Sequence, residues 1–452
     1  MEAKNTVIIS GTEALARGEM VNLALSTGAL VLDRTSGDYA AQGCYLTPQL
    51  AFPAFDRLMA SWDADTPRGT AVEAQVRVQV EGRWSGWFSF GKWSPFLPRA
   101  GEAQPAAAPA YLDVDTLCMP QAPAEKAQLR VFLYTERADA TPALRLLAAS
   151  VRPKNWEQKQ GEPFDRAVHL PAYSQMNRDP AFGPSACNPV TLAMLMNRYG
   201  EDLLPEELAL AMYDEGCGCA NRAYGAAAAG CYGYEAYLAY LDLAGLRAQI
   251  KQGYGVGVCV HYTNNDQLPE AQGLPLVEGA EGIAPWHVLA VRGFMTDGAA
   301  GEEYVLVNDP FCPNDSAAEK CYKLSQFLQS WDNVCYVVHR KRKGAGQGHP
   351  ERFSGQLKPQ GPVGAYQFEV YGQPHLLPAG FLGTPQRPGG TVAYTQQEEV
   401  AHATTAHKHF GYAAVNDQGG VQLPAQLLAE GKKVTVYVID NTGSMLVAEL
   451  KP

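Results

Sequence analysis

Long apolar runs are absent from this chain of 452 residues. None approaches the ~20 consecutive apolar residues that a helix needs to cross a bilayer, so no membrane span is predicted. The first twenty residues also lack the apolar core of a signal peptide. We therefore expect a soluble protein of the cytoplasm, or an extracellular one if a signal sequence has been removed.

An excess of positive charge is also absent. The net charge is −11, whereas a general binder of nucleic-acid phosphates presents a basic surface. One basic run, at residues 340–343, precedes a glycine-rich stretch and is typical of a solvated linker. No nucleic-acid partner is predicted.

The ten cysteines lack the paired C-x2-C spacing of a structural zinc site. Cys217, Cys219 and Cys231 lie close in sequence, but no histidine is near them. A second candidate set consists of three histidines near the C-terminus: His402, His407 and His409. Buried thiols and surface histidines are the favoured interpretations. We predict no metal and no other cofactor.

Residues 1–155 have the pattern of a first domain, in a chain long enough for two to four. Apolar residues alternate with polar ones at 72–80 and 129–133, which is typical of half-buried strands. A stretch rich in proline and alanine at 98–110 indicates a long loop. We predict a β-sandwich of the jelly-roll type for this region.

Three tryptophans, Trp84, Trp87 and Trp93, cluster in this first region. Packing in a core or at an interface is the favoured interpretation. The alternative is a platform for sugar rings, since aromatic residues are common in binding sites. A glycan or cell-wall ligand of the N-terminal domain is therefore a hypothesis. Loss of glycan-array binding in Trp87→Ala would support it, and unchanged binding would contradict it.

Residues 160–342 mix helical and strand patterns, which indicates an α+β domain. The predicted helices cover 191–199, a segment that begins at Pro205, and 234–244, where Gly245 would end the helix. The predicted strands cover 256–260, 287–291, 304–309 and 334–338. A linker at 343–362, rich in glycine, proline and glutamine, is followed by a small C-terminal β domain at 363–452.

The candidate chemistry begins at Cys187. Leu192, Leu195 and Met196 form a helical stripe behind it, and Pro189 suits the first turn of a helix. At a helix N-terminus the orphan N–H groups and the macrodipole favour an anion, and the thiolate is the nucleophilic form of cysteine. A catalytic Cys187 must stay free, so nine cysteines remain. That odd number disfavours a complete disulfide framework.

Three further residues could serve such a nucleophile. His287 opens a predicted strand and Asp309 ends the next one, so two adjacent antiparallel strands would bring them together. Asp309 would orient the imidazole and stabilise the imidazolium. Gln175 would present its amide N–H to the oxyanion beside the backbone N–H of Cys187. Each residue alone has an ordinary structural explanation, but the four in this order are unusual by chance.

These segments resemble papain-fold cysteine peptidases related to the bacteriocin-processing, double-glycine leader peptidases. The resemblance rests on SQMNRDPAFGPSACNPVTLAMLMNRYG, PWHVLAVRGF and VLVNDPF, at residues 174–200, 285–294 and 305–311. It implies a bacterial enzyme with a peptide or protein substrate. It also implies that Gln175 is the oxyanion glutamine, Cys187 the nucleophile, His287 the base and Asp309 its orienting partner.

Two positions depart from the family pattern. Asn188 stands where a glycine is usual, and Trp286 stands where a glycine often precedes the histidine. Both are predicted to line the substrate cleft, where Trp286 would narrow the cleft or exclude water. No ATP-binding or membrane region accompanies the peptidase segment, so a role in leader-processing export does not follow.

The sequence therefore predicts a cysteine peptidase that hydrolyses peptide or amide bonds through a thioester on Cys187. One alternative is an acyltransferase that passes the acyl group to an amine or alcohol. The other is a non-catalytic scaffold whose β domains bind a glycan or a protein.

Overall fold

A computed structural model describes residues 4–96, 109–178, 183–298, 301–346, 348–349, 352–362, 364–370, 373–374, 391–399, 405–414, 420–423, 434–439 and 445–450. In these residues the chain is multidomain and consists mainly of β-strands. The predicted loop at 98–110 lies almost entirely outside the described residues. No helix in the described part of the chain is long and apolar enough to cross a membrane.

Thirteen of the sixteen strands described in the N-terminal region form one large antiparallel sheet, two form a separate two-stranded sheet, and the last belongs to another sheet. The strands are β1 (Thr6–Ser10), β2 (Glu19–Val21), β3 (Leu23–Ser26), β4 (Ala29–Leu32), β5 (Arg34–Thr35), β6 (Asp38–Tyr39), β7 (Gln42–Leu46), β8 (Leu50–Asp65), β9 (Thr70–Val80), β10 (Arg83–Trp84), β11 (Phe88–Trp93), β12 (Tyr111–Asp113), β13 (Thr116–Cys118), β14 (Ala124–Thr135), β15 (Ala143–Pro153) and β16 (Arg166–Ala167). The central order of the sheet is β10–β9–β14–β8–β15–β4–β3.

Alternation along β9 and β14 explains how this sheet buries a core. Val72, Ala74 and Val76 are fully buried, whereas the polar residues between them are half-buried. β9 pairs with β14 in antiparallel register, with Val76 opposite Leu129. The predicted strands at 72–80 and 129–133 are confirmed, because a period of two places every second side chain on the buried face.

Among the described residues the α-helices are few and short. They are α1 (Thr12–Leu15), α2 (Cys187–Asn197), α3 (Pro205–Met212), α4 (Arg222–Cys231), α5 (Leu243–Lys251) and α6 (Leu324–Ser330). The predicted helices at 191–199 and from Pro205 are confirmed as α2 and α3. Every residue of α2 is buried, so the apolar stripe is only part of the face that it packs.

The remaining strands follow in the middle and C-terminal regions. In the middle region they are β17 (Tyr234–Tyr240), β18 (Val256–Thr263), β19 (Ile283–Thr296), β20 (Glu303–Asn308), β21 (Glu319–Lys323) and β22 (Trp331–Lys341). In the C-terminal region they are β23 (Arg352–Ser354), β24 (Gln356–Pro359), β25 (Ala365–Val370), β26 (Gln373–Pro374), β27 (Thr391–Glu399), β28 (Thr405–Ala414), β29 (Gly420–Gln422), β30 (Val434–Ile439) and β31 (Met445–Leu450). The four predicted strands of the middle region correspond to β18, β19, β20 and β22.

The predicted helix at 234–244 is wrong. Residues 234–240 form β17, which pairs antiparallel with β22, and helix α5 begins only at Leu243. Tyr234, Tyr237 and Tyr240 are three residues apart, a spacing that fits a helix, but aromatic residues favour strands and the pairing with β22 decides for the strand. Asp242 caps α5 through a 2.7 Å bond from the Gly245 N–H, so Gly245 lies in the first turn of a helix.

The chain divides into two compact units. Unit 1 comprises Met1–Arg166, Ala211–Cys259 and Trp331–His349, and unit 2 comprises Ala167–Leu210, Val260–Ser330 and Pro350–Pro452. In unit 1, α4 packs on β8, and β17 packs on β15. In unit 2, α2 packs on β19, and β19, β20 and β21 are neighbours in that order. The domain limits predicted from the sequence, 1–155, 160–342 and 363–452, stay predictions.

The interval predicted as a linker, 343–362, contains regular structure. It includes β23 and β24, and two of its glycines, Gly346 and Gly348, pack tightly in unit 1. A Cβ on Gly348 would overlap the backbone nitrogen of Thr66, and one on Gly346 would lie 2.8 Å from the Tyr232 carbonyl oxygen. The Gly346 N–H also donates to Asp65 Oδ1 at 2.9 Å. These glycines permit close backbone approach, which composition alone does not distinguish from flexibility.

Candidate active site

Cys187 is the first residue of α2, where the N–H groups have no intrahelical acceptor. No side chain caps this end of the helix. The residue is buried, with 5% of its surface exposed. The Thr191 hydroxyl donates to the Val288 carbonyl oxygen at 3.0 Å. Because Val288 follows His287, this bond fixes the cysteine helix against the histidine strand.

His287, in β19, lies between the thiol and a carboxylate. Its Nε2 is 2.7 Å from Asp309 Oδ1, and its side chain also hydrogen bonds with that of Cys187. Because Nε2 faces Asp309, Nδ1 is the ring nitrogen left for the thiol. The fold therefore brings together Cys187, His287 and Asp309, which are far apart in the sequence.

Asp309 follows β20 and is fully buried. Its Oδ1 also accepts the Phe311 N–H at 2.9 Å. Its Oδ2 accepts the hydroxyl of Tyr322 at 2.7 Å and that of Tyr262 at 3.0 Å. The carboxylate thus has four donors, which satisfies its buried negative charge.

The charges of the pair stabilise each other. Burial disfavours the charged form of His287, but the Asp309 carboxylate and the Cys187 side chain raise the pKa of His287 to about 10. Burial would likewise raise the pKa of Asp309, but His287, the Tyr322 hydroxyl and the Phe311 N–H lower it below its ordinary value. The pair is therefore imidazolium and carboxylate at neutral pH.

Gln175 begins a short 3₁₀ helix, Gln175–Asn177, that is tied to the loop after β20. Its N–H donates to the Pro310 carbonyl oxygen at 2.9 Å, and the Ser174 N–H donates to Asp315 Oδ1 at 2.6 Å. The carboxamide Nε2 donates to the Pro184 carbonyl oxygen at 3.0 Å. Pro184 lies three residues before Cys187, so the amide group is held against the segment that leads into the nucleophile.

Sequence reasoning missed Tyr262 and Tyr322. Both side chains are almost fully buried, and a buried phenol hydroxyl needs a hydrogen-bond partner. Tyr262 lies just beyond the predicted strand at 256–260, and β21, which carries Tyr322, was not predicted. Their partner, Asp309, becomes visible only in the folded strand order.

The two predicted cleft residues lie in different surroundings. Trp286 is 39% exposed, which is compatible with a position beside the substrate. Asn188 is fully buried in the first turn of α2, so it offers no surface to a substrate. A position inside the helix packing replaces the predicted position in the cleft.

The other thiols differ from Cys187 in their surroundings. All ten cysteines are free of disulfides. Burial raises the pKa of Cys217 to about 12, and it raises the pKa of Cys259 and of Cys312 to about 11. These thiols stay protonated at neutral pH and are poor nucleophiles. In the described part of the chain, no group of three or more cysteine, histidine or acidic residues is arranged to hold a metal.

The tryptophan cluster of unit 1 is engaged within the protein. Trp93 is fully buried and donates from Nε1 to the Ala211 carbonyl oxygen at 3.2 Å. The guanidinium of Arg77 lies over the rings of both Trp84 and Trp87, 4.7 and 4.8 Å from the ring centroids. A second guanidinium, from Arg130, lies 4.4 Å from the Trp87 centroid. Packing explains the cluster, and glycan binding stays a prediction.

Two family models match the chain. The model of the peptidase C39 N-terminal domain matches residues 7–151, and that of the peptidase C39-like family matches residues 168–338. The chain belongs to the C39 peptidase family. The predicted resemblance to papain-like cysteine peptidases is confirmed as membership in the C39 family. Membership in the C39 family suggests a hydrolase with cysteine peptidase activity, and the second match includes all four candidate residues.

No curated protein matches this C39 family member. Among solved structures, TmCBM61 in complex with beta-1,4-galactotriose is 10% identical and aligns with 33% of this chain and 91% of its own, at a TM-score of 0.17. A cycloisomaltooligosaccharide glucanotransferase from Paenibacillus sp., complexed with cycloisomaltoheptaose, is 9% identical to this chain. Its alignment covers 94% of this chain and 45% of its own, at a TM-score of 0.17. Similarity at this level carries no argument about fold or ligand.

Proposed function

We propose that this C39 family member is a papain-like cysteine peptidase that hydrolyses peptide bonds through a thioester on Cys187. The observation that carries the proposal is the chain of contacts from the Cys187 thiol through His287 to Asp309. A nucleophile, a base and an orienting group in this arrangement form the general device for covalent acyl transfer.

In the proposed reaction, the Cys187 thiolate attacks the carbonyl carbon of the scissile bond. The oxyanion of the tetrahedral intermediate accepts hydrogen bonds from the Cys187 backbone N–H and from the Gln175 carboxamide. The His287 imidazolium then protonates the leaving amine, and the C–N bond breaks to give the thioester.

The second half of the reaction releases the acid. Neutral His287 removes a proton from water, which attacks the thioester carbonyl, and the Cys187 thiolate leaves. Asp309 holds the imidazole in one orientation through both steps. The Gln175 Nε2 donates one hydrogen to Pro184, and its second hydrogen is the one that this mechanism assigns to the oxyanion.

A peptide-library digest tests the proposal. The wild-type chain is compared with Cys187→Ala and with Cys321→Ala, which removes an exposed thiol on β21 as a matched control. Cleavage should fall by about 10³-fold or more in Cys187→Ala because the nucleophile is lost, and it should persist in Cys321→Ala. Equal cleavage by wild type and Cys187→Ala would refute the proposal. Aminolysis products that replace acids in the presence of added amines would identify a transferase instead.

A further inference from the structure

The strands around the candidate site contribute one side chain each to a continuous row. β18, β19, β20 and β21 are neighbours in this order. β18 provides Tyr262, β19 provides His287 and β21 provides Tyr322. Asp309 immediately follows β20. The carboxylate therefore lies between the imidazole on its Oδ1 and two phenols on its Oδ2.

The direction of these hydrogen bonds is determined by the groups. An ionised carboxylate only accepts, so both tyrosine hydroxyls donate to it. Tyr262 and Tyr322 are each 1% exposed, and Asp309 is fully buried, so water does not compete for these bonds. Burial and the Asp309 charge raise the pKa of both phenols, so they remain protonated donors.

We propose that Tyr262 and Tyr322 are positioning residues for the peptidase reaction, which fix the Asp309 carboxylate and withdraw part of its negative charge from His287. The proposal rests on the proposed function of Cys187 and His287. Two donors on Oδ2 prevent rotation of the carboxylate, so Oδ1 stays directed at Nε2. They also make the carboxylate less basic, which weakens its hold on the imidazolium proton.

The weaker hold of Asp309 on the imidazolium proton has a chemical reason. A buried Asp309 with no donor on Oδ2 would stabilise the imidazolium more strongly. A more stable imidazolium is a weaker acid, so it would transfer its proton to the leaving amine less readily. The titratable groups that surround the pair belong to several elements: Cys187 of α2, Tyr262 of β18, Tyr322 of β21, Cys312 after β20, and Glu281 before β19. Glu281 is paired with Lys320 at 2.9 Å.

The test uses Tyr262→Phe, Tyr322→Phe and the double variant, each of which removes only hydroxyl oxygens. Tyr304→Phe is the control, because its hydroxyl donates to Glu302 at 2.8 Å on the strand that leads to Asp309. One readout is the pH dependence of kcat/KM and kcat. The other is the pH dependence of Cys187 alkylation by iodoacetate, followed by peptide mass mapping. This anionic reagent reacts faster while the neighbouring imidazole is protonated.

In each single variant the alkaline limb of both profiles should move to higher pH by roughly half to one unit, and further in the double variant. The kcat value should fall by roughly 3- to 10-fold, because the imidazolium is a weaker acid. Tyr304→Phe should leave both limbs in place. If one tyrosine variant does not fold, the other carries the same test.

Unchanged or lowered alkaline limbs in folded variants would overturn the proposal, since a merely structural loss lowers kcat without moving the titration. Failure of the proposed function gives a different pattern. The wild-type chain would then show no turnover that depends on Cys187, while the alkylation profile would still show whether the tyrosines moderate His287.

Discussion

Replacement of Asp309 by asparagine is the sharpest single test of the site. The amide has almost the shape of the carboxylate but no charge, and one of its two polar ends is a donor. If that donor faces His287, Nε2 must accept, and Nδ1 carries the proton toward Cys187. In this neutral tautomer Nδ1 already carries a hydrogen, so it is not able to remove the proton of the Cys187 thiol. If the donor faces Tyr262 and Tyr322, both phenols lose their acceptor.

The size of the effect follows from the pKa of His287. A pKa of about 10, against an ordinary value of 6.5, corresponds to about 5 kcal/mol in favour of the imidazolium. This is a net value, because burial opposes the charged form while Asp309 and the Cys187 side chain stabilise it. We expect kcat/KM of Asp309→Asn to fall by about 10²- to 10⁴-fold.

The assay is kcat/KM as a function of pH on a peptide selected from the library digest. Asp266→Asn, which removes an exposed carboxylate, is the matched control and should retain wild-type activity. The alkaline limb should move toward neutral pH in Asp309→Asn, because the imidazolium loses its charged partner. A loss smaller than about tenfold with an unmoved limb would refute the assigned role of Asp309.

Two further predictions concern stability. Because the pKa of His287 is raised in the folded state, its contribution to the free energy of unfolding is complete below 6.5 and is lost as the pH rises from 6.5 through about 10. The free energy of unfolding of the wild type, measured in urea, should fall over this range more than that of His287→Gln. Parallel pH dependences of the two proteins would contradict the linkage. Gly348→Ala should destabilise unit 1 by about 1–3 kcal/mol, because its Cβ would overlap the Thr66 backbone. Gly86→Ala, whose Cβ would meet nothing within 4 Å, is the control, and equal melting temperatures of the two variants would show that the glycine-rich segment is not packed as described.

The candidate residues were predictable because local patterns mark them. Pro189 and the apolar stripe indicate a helix that begins near Cys187, and alternation indicates strands at His287 and before Asp309. Their roles in catalysis stay predictions until the variants are measured. Local pattern failed at residues 234–240, where apolar spacing fits both a helix and a strand and pairing with β22 decides for the strand. It also failed at Gly346 and Gly348, because tight packing and flexibility both favour glycine.

Helix ends and strand alternation are local properties, so the order of residues along the chain already specifies which side chains are available for chemistry. The partners of a buried charge are not local. Tyr262 and Tyr322 lie 47 and 13 residues from Asp309, and only the lateral order of β18, β19, β20 and β21 brings both phenols to its Oδ2. Burial then gives these contacts their strength, because water no longer competes for the carboxylate.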